Sequence, residues 1–230
     1  SYGEDAIYYS KYNTNNWNSI GSHQEIDNVN SAADLAYDPL TNKVYGFFYQ
    51  EEDYAGEWTN FGTFNLTTAE AEPIKTMERE VYACAAGDNG DIYWLSSTQL
   101  GSINPAEPDN FSYLGGPQVY PEGLGNTMAW DPASKRLYAL TTTSDMKNGQ
   151  RIYTSSFWRI DPTPRSVTKE LIREFDSRQY FSGMFLLPEE ISIYAPDVVT
   201  DATVSFTDPA HPLKGTVTVT APTRTHAGAA

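Results

Sequence analysis

The chain has 230 residues, enough for one good core and part of a second domain. Fifteen Lys and Arg against 30 Asp and Glu give a net charge of -15, a field that repels phosphate backbones and anionic lipid and so argues against nucleic acid as a partner. With one cysteine, Cys84, no internal disulfide can form; His23, His211 and His226 show no close metal-ligand spacing, so no metal, cofactor or Cys-His chemistry is expected.

Sixteen Tyr, ten Phe and five Trp suit stiff, half-buried strands, and helical periodicity is almost absent. The chain is expected to be all-β. No apolar run is long enough to cross a bilayer as a helix, so membrane insertion is not expected. The start, Ser1-Tyr-Gly-Glu-Asp5, reads as that of a mature or trimmed form.

Residues Tyr9 to Ile20 read as a hairpin around Asn13. Next comes the phrase Leu35-Ala-Tyr-Asp-Pro-Leu-Thr-Asn-Lys-Val-Tyr45, in which Asp-Pro sets a turn and alternation resumes beyond it, giving a first and a second strand. Phe61-Gly-Thr-Phe-Asn65 and the extended segment after it read as a third and a fourth. The first phrase returns in shortened form as Ala85-Ala-Gly-Asp-Asn-Gly-Asp-Ile-Tyr93, where Asn-Gly is a hairpin signal, and in full as Met128-Ala-Trp-Asp-Pro-Ala-Ser-Lys-Arg-Leu-Tyr138. The second phrase returns as Leu100-Gly-Ser-Ile-Asn104 and Phe157-Trp-Arg-Ile-Asp161.

The closing tyrosines Tyr45, Tyr93 and Tyr138 lie 48 and 45 residues apart, the period of one four-stranded propeller blade. A fourth, weaker copy of the first phrase is Met184-Phe-Leu-Leu-Pro188 running to Tyr194, because Pro39, Pro132 and Pro188 each precede a Tyr by six residues. The chain therefore opens with a third-and-fourth-strand hairpin and ends its repeats with a first-and-second-strand hairpin. If the two pair, one blade is built from both ends and a ring of about four blades closes over residues 1–194. An upstream blade missing from an open arc is the alternative.

Residues 195–230 hold a linker and two alternating strands, Ala202–Phe206 and Lys214–Thr220. Two strands are short of the seven or so of an immunoglobulin-like or fibronectin-like sandwich, so the chain is expected to stop inside such a domain.

The Asp-Pro hairpins, the Phe181-Ser-Gly-Met184 stretch, and Pro196-Asp-Val-Val-Thr-Asp-Ala-Thr-Val-Ser-Phe206 running on to Gly215-Thr-Val-Thr-Val-Thr-Ala-Pro-Thr223 resemble a group of exported gut-bacterial proteins. In that group a propeller region of YVTN or WD40-like repeats precedes fibronectin type III-like modules. The resemblance implies export to the bacterial cell surface or medium, with a lipid anchor on the precursor compatible with it, and a binding or adhesive role. Its motifs are architectural, and no catalytic residue carries over.

The connections Gly21–Asp34, Gln50–Asn60, Gly115–Thr127 and Thr143–Thr154 vary in length, and in a propeller they would emerge on one side. That side is expected to carry any ligand site. Glu51, Asp53, Tyr54 and Trp58 combine carboxylates with aromatic faces suited to a glycan, beside the reading of a solvated acidic loop. Tyr120, and Arg151 with Tyr153, are further candidates for a glycan or a surface protein. Asp38 and Asp131 sit before Pro at one point of a repeated hairpin and read as turn residues rather than paired acids. Trp94 and Trp130 read as packing between blades, and Cys84 as buried filler near the axis. A glycan-degrading hydrolase or lyase and a purely structural spacer stand as alternatives to a binding module; a glycosidase needs two carboxylates at fixed separation, and none is singled out outside a turn.

Overall fold

The structure is a computed structural model that describes residues 8–11, 16, 18–22, 24–26, 29, 31–49, 59–122, 125–175, 181, 183–186, 203–206 and 217–220. The described residues contain no helix. They form three four-stranded antiparallel sheets, each a meander in chain order, and two two-stranded pairs.

The first sheet comprises β3 (Ser31–Asp38), β4 (Lys43–Tyr49), β5 (Thr59–Asn65) and β6 (Glu70–Met77). The second comprises β7 (Ala83–Ala86), β8 (Ile92–Leu95), β9 (Leu100–Ile103) and β10 (Ser112–Gly115). The third comprises β11 (Thr127–Asp131), β12 (Arg136–Lys147), β13 (Gln150–Asp161) and β14 (Thr168–Phe175). The two pairs are β1 (Tyr8–Tyr9) with β2 (Gln24–Glu25), and β15 (Thr203–Phe206) with β16 (Val217–Thr220). The strands read from the phrases at Leu35, Phe61, Ala85, Leu100, Met128 and Phe157 are thus present, four to a sheet, and so is the second-unit hairpin; at the chain start, however, Tyr8–Tyr9 pair with Gln24–Glu25 rather than across Asn13, and Met184–Leu186 of the fourth copy form no strand.

The turns repeat as the strands do. Between β3 and β4, Asp38 accepts the Leu40 N–H at 2.9 Å and the Thr41 hydroxyl at 2.5 Å. Between β11 and β12, Asp131 accepts the Ala133 N–H at 3.0 Å and the Ser134 hydroxyl. Each turn then places one residue in the left-handed region, Asn42 at φ 55° and Lys135 at φ 56°. Asp38 and Asp131 are therefore turn caps, as their place before Pro implies.

The second phrase works the same way at the other hairpins. Asn65 Oδ1 accepts the Thr67 N–H at 2.8 Å, Asn104 Oδ1 the Ala106 N–H at 2.9 Å and Asp161 Oδ1 the Thr163 N–H at 3.0 Å. One side-chain oxygen two residues upstream closes all three turns.

Pairing register aligns the sheets residue by residue: Ala36 faces Tyr45, Ala85 faces Tyr93 and Ala129 faces Tyr138. Tyr45 stacks on Phe61 at 5.8 Å in the core between the first and second sheets, with Phe47, Ile92, Trp94 and Ile103. Tyr93 stacks on Trp130 at 5.1 Å in the core between the second and third, with Leu95, Leu100, Leu137 and Ile160. Trp94 and Trp130 thus pack between sheets, as expected from their place in the repeat. Burying each such ring contributes on the order of 2–3 kcal/mol.

The third tyrosine, Tyr138, is only half-buried, against Phe157 at 5.7 Å. On the opposite side of the stack, Phe48 and Phe64 of the first sheet are covered by Val29 and Ile26. The first strands β3, β7 and β11 touch one another at the centre. Among the described residues no closed ring of sheets is present.

One expected connection is not a loop. β12 runs to Lys147 and β13 starts at Gln150, paired without interruption from Lys147↔Gln150 to Leu137↔Ile160. Residues 143–154 are therefore a projecting two-stranded ribbon. Its physical reason is Asn148-Gly149, at φ 52° and 78°, which is the preferred pair for a two-residue hairpin turn.

The chain divides into two compact units, Ser1–Leu186 and Leu187–Ala230. Residues 187–200, where the sequence places the end of the fourth repeat and the linker, lie outside the described residues.

Candidate functional site

The repeated turns at Asp38, Asp131, Asn65, Asn104 and Asp161 all lie on one side of the sheets. The opposite side carries the β6-to-β7 connection, the described part of the β10-to-β11 connection and the ribbon of β12 and β13; residues 50–58, between β4 and β5, lie outside the described residues. It is built of unlike segments, which is where a scaffold of like sheets can differ from repeat to repeat.

On that side β4 ends at Tyr49, and the five-residue connection Glu78–Tyr82 carries the chain to β7. Tyr49 donates its phenol to the Val81 carbonyl at 3.4 Å, and Tyr82 donates to Glu80 Oε2. Ser31, Ala32, Ala33, Tyr49, Glu80, Val81 and Tyr82 line a hollow of about 240 Å³. Burial, with the charge of Glu80, pushes the Tyr49 phenol up to about 12, and burial, with the Glu80 hydrogen bond, raises that of Tyr82 further. Both phenols keep their protons at any physiological pH.

The charge of Glu122 also acts on Tyr82, so the cluster extends onto the next connection. The Glu122 N–H is bonded to the Thr142 carbonyl at 2.8 Å, which seats the residue against the base of the ribbon. Its carboxylate accepts the Ser144 hydroxyl on one oxygen and Arg151 Nη1 at 2.8 Å on the other. The pair with Arg151 is solvent-exposed and worth at most about 1 kcal/mol in stability.

Glu51, Asp53, Tyr54 and Trp58 lie outside the described residues. Arg151 and Tyr153 both lie on the ribbon, and Tyr153 faces Ser144 across it. Tyr120 is 52% exposed at φ 45°, two residues from the Glu122 that holds Arg151. Glu122 therefore brings the Tyr120 connection and the Arg151 strand together.

Tyr49, Glu80, Tyr82 and Glu122 were not legible as site residues. The Glu78–Tyr82 connection is too short to stand out by length, and Glu122 gains its meaning only from a strand that follows it by some 20 positions. Among the described residues, no three His, Cys, Asp or Glu side chains gather where a metal ion could sit.

A second unforeseen residue lies at the centre of the stack. The β3–β4 pairing slips at Ala33, and the next residue, Asp34, turns its carboxylate inward. Oδ2 accepts the N–H of Cys84 and that of Met128, both at 3.1 Å, while Oδ1 accepts the Leu35 N–H at 2.9 Å and the Thr127 hydroxyl at 3.3 Å. Leu35, Cys84 and Met128 each precede the alanine that faces a closing tyrosine. One carboxylate thus ties the same position of three sheets.

Burial pushes the Asp34 carboxyl up to about 7, against the pull of these four hydrogen bonds. Cys84 is fully buried, and its thiol meets the Asp34 carbonyl at 3.4 Å. Burial and the neighbouring carboxylate raise the thiol well above its ordinary value, which makes it a packing residue and not a nucleophile.

Beyond Asp34, toward the repeated turns, a cavity of about 330 Å³ lies between the ends of β3, β7 and β11, and Met184, Phe185 and Leu186 form its fourth wall. Those three residues are the ones that the Pro188 alignment matches to Leu35–Tyr37 and Met128–Trp130. Comparison with protein-family models and with curated proteins gives no match for the chain.

Proposed function

We propose that the chain is a binding module of a bacterial cell-surface or secreted protein, built on a four-bladed propeller and followed by a fibronectin-type segment, with a glycan or a surface protein as ligand. The observation that carries the reading is the division of labour between the two sides of the sheets. One side repeats the same side-chain-capped turn in each sheet, and the other gathers unlike connections into a polar and aromatic cluster running from Tyr49 through Glu80, Tyr82 and Glu122 to Arg151.

Closure into four blades is supported by three features. The forward face of the third sheet, at Tyr138, is less covered than its counterparts at Tyr45 and Tyr93. The pair β1 and β2 supplies two strands at the chain start, and Met184–Leu186 stand beside the three first strands. A ring would bury the Tyr138 face and leave no unpaired stack end.

A glycan array and a surface-protein overlay, run on the whole chain and on a variant carrying Glu122→Ala with Arg151→Ala, test the binding role. Retention of a glycan or protein by the parent and its loss in the double variant is expected. Equal retention by both would move the site off this side of the sheets; silence of the parent toward glycans and proteins alike would favour a spacer.

A further inference from the structure

We propose that the hollow between Tyr49, Glu80 and Tyr82 receives an alkylammonium group, the side chain of a lysine on a protein partner. The inference rests on the reading that the side of unlike connections is the binding side, and it selects one of the two ligand classes named there.

A sugar hydroxyl both gives and takes a hydrogen bond, so a sugar site must offer both kinds of partner, whereas an ammonium has three donors and no acceptor. Both phenols lining this hollow are already spent as donors, Tyr49 on the Val81 carbonyl and Tyr82 on Glu80. What these three side chains still offer is acceptor capacity, the second oxygen of Glu80 and the free lone pairs of the two phenols, and the Ser31 hydroxyl can turn to accept as well. The hollow therefore suits a group that only donates.

Charge points the same way. Glu80 is half-buried and, among the described residues, has no ion pair; the neighbouring Arg79 is turned aside, bonded to Gln99 and to Tyr113 and lying over the Tyr113 ring at 4.5 Å. Glu122 nearby is already paired with Arg151, so Glu80 carries the local charge, within a chain whose net charge is -15. Tyrosine side chains beside a carboxylate that has no ion pair among the described residues form a surrounding that favours an organic cation over a neutral group. Long-range attraction would speed the encounter with a basic partner.

Size completes the case. About 240 Å³ accommodates a lysine head group and the methylenes behind it, and lies below the range of pockets that enclose larger ligands. Ala32 and Ala33 offer the apolar wall those methylenes need, with Ser31 beside them.

Calorimetric and chemical-shift titration of the whole chain with N-acetyl-lysine amide, with its side-chain-acetylated form and with n-butanol tests the site. The lysine derivative is expected to bind saturably in the millimolar range, with salt weakening it and both neutral probes failing to compete. Glu80→Gln, checked for an unchanged melting transition, is expected to weaken binding at least about tenfold. Tyr82→Phe frees Glu80 Oε2 and is expected to leave affinity within about threefold, which separates loss of charge from loss of fold. No saturation by the lysine derivative, equal binding of the acetylated form, or an unaltered Glu80→Gln variant overturns the site. If a glycan then still binds through Glu122 and Arg151, the broader surface-binding reading stands without it. Lysine binding at Glu80, with neither a protein nor a glycan retained by the whole chain, supports the site and counts against the broader reading.

Discussion

The carboxylate of Asp34 and the backbone N–H of Met128 meet at 3.1 Å across 94 positions of chain. Oδ2 of the same carboxylate takes the Cys84 N–H as well, so the first strands of three sheets are held by one side chain rather than by packing alone. Buried strand N–H groups must find acceptors, and strands that converge on an axis edge to edge do not supply them to one another. A carboxylate has enough lone pairs to serve several at once.

Asp34→Asn is therefore expected to lower stability by about 2–4 kcal/mol, because an amide group placed among N–H donors leaves at least one of them unpaired. Urea unfolding read by tryptophan fluorescence would measure it. A loss under about 0.5 kcal/mol would mean that the three-sheet tie contributes nothing net.

The pH dependence has a definite sign. With its folded value raised to about 7, Asp34 holds its proton more tightly in the fold than in the unfolded chain. Its contribution is fully present below the ordinary carboxylate range of about 4, falls as pH rises from there to about 7, and is flat above. Relative to Asp34→Asn, the parent should gain stability between pH 7 and pH 5. A difference that stays constant over that window would show that the group is ionised throughout.

The turn cap Asp131 behaves in the opposite sense. Asp131 is held below its ordinary value by the Ser134 hydroxyl and the turn N–H groups, so its contribution is present above the usual carboxylate range and is lost as pH falls through it. Asp38→Ala and Asp131→Ala should each cost about 1 kcal/mol, by analogy with the loss of a helix cap. Being in different sheets, they should add to within about 0.5 kcal/mol in the double variant.

Gly101 lies under the indole of Trp94, and a β-carbon built there would sit 2.1 Å from the ring. The pairing Trp94↔Gly101 shows why the repeat tolerates a large residue on β8 only opposite none on β9; the third sheet reverses the choice with Ala139↔Trp158. Gly101→Ala should destabilise by about 1–3 kcal/mol and alter the near-ultraviolet signal of Trp94. An unchanged spectrum with unchanged stability would show that the ring moves aside freely.

Cys84 should resist thiol reagents in the native protein. Its raised thiol and complete burial leave opening of the sheet stack as the route to modification. Labelling should follow the urea dependence of global unfolding, and rapid labelling without denaturant would contradict the packing at the axis.

The strands and turns of this protein were legible because they are local. Asp-Pro followed by a hydroxyl residue, and Asn or Asp two positions before its turn N–H, act within a few residues of one another. Repetition then showed that the unit has four strands and recurs at a blade-sized interval. Even the ribbon was written plainly in Asn148-Gly149, and was missed only because its position matched a connection elsewhere.

Tertiary structure alone decided which polar residues matter. Asp34 looks like any acid near a strand of small residues, until the axis supplies it with N–H groups from 50 and 94 positions away. Glu80 and Glu122 lie on separate connections, and their common influence on Tyr82 exists only because the second and third sheets stack as they do. Local chemistry is set by neighbours in the chain, whereas hydrogen-bond partners at an axis and charges across a surface are set by how sheets turn against one another, which no short stretch of sequence records.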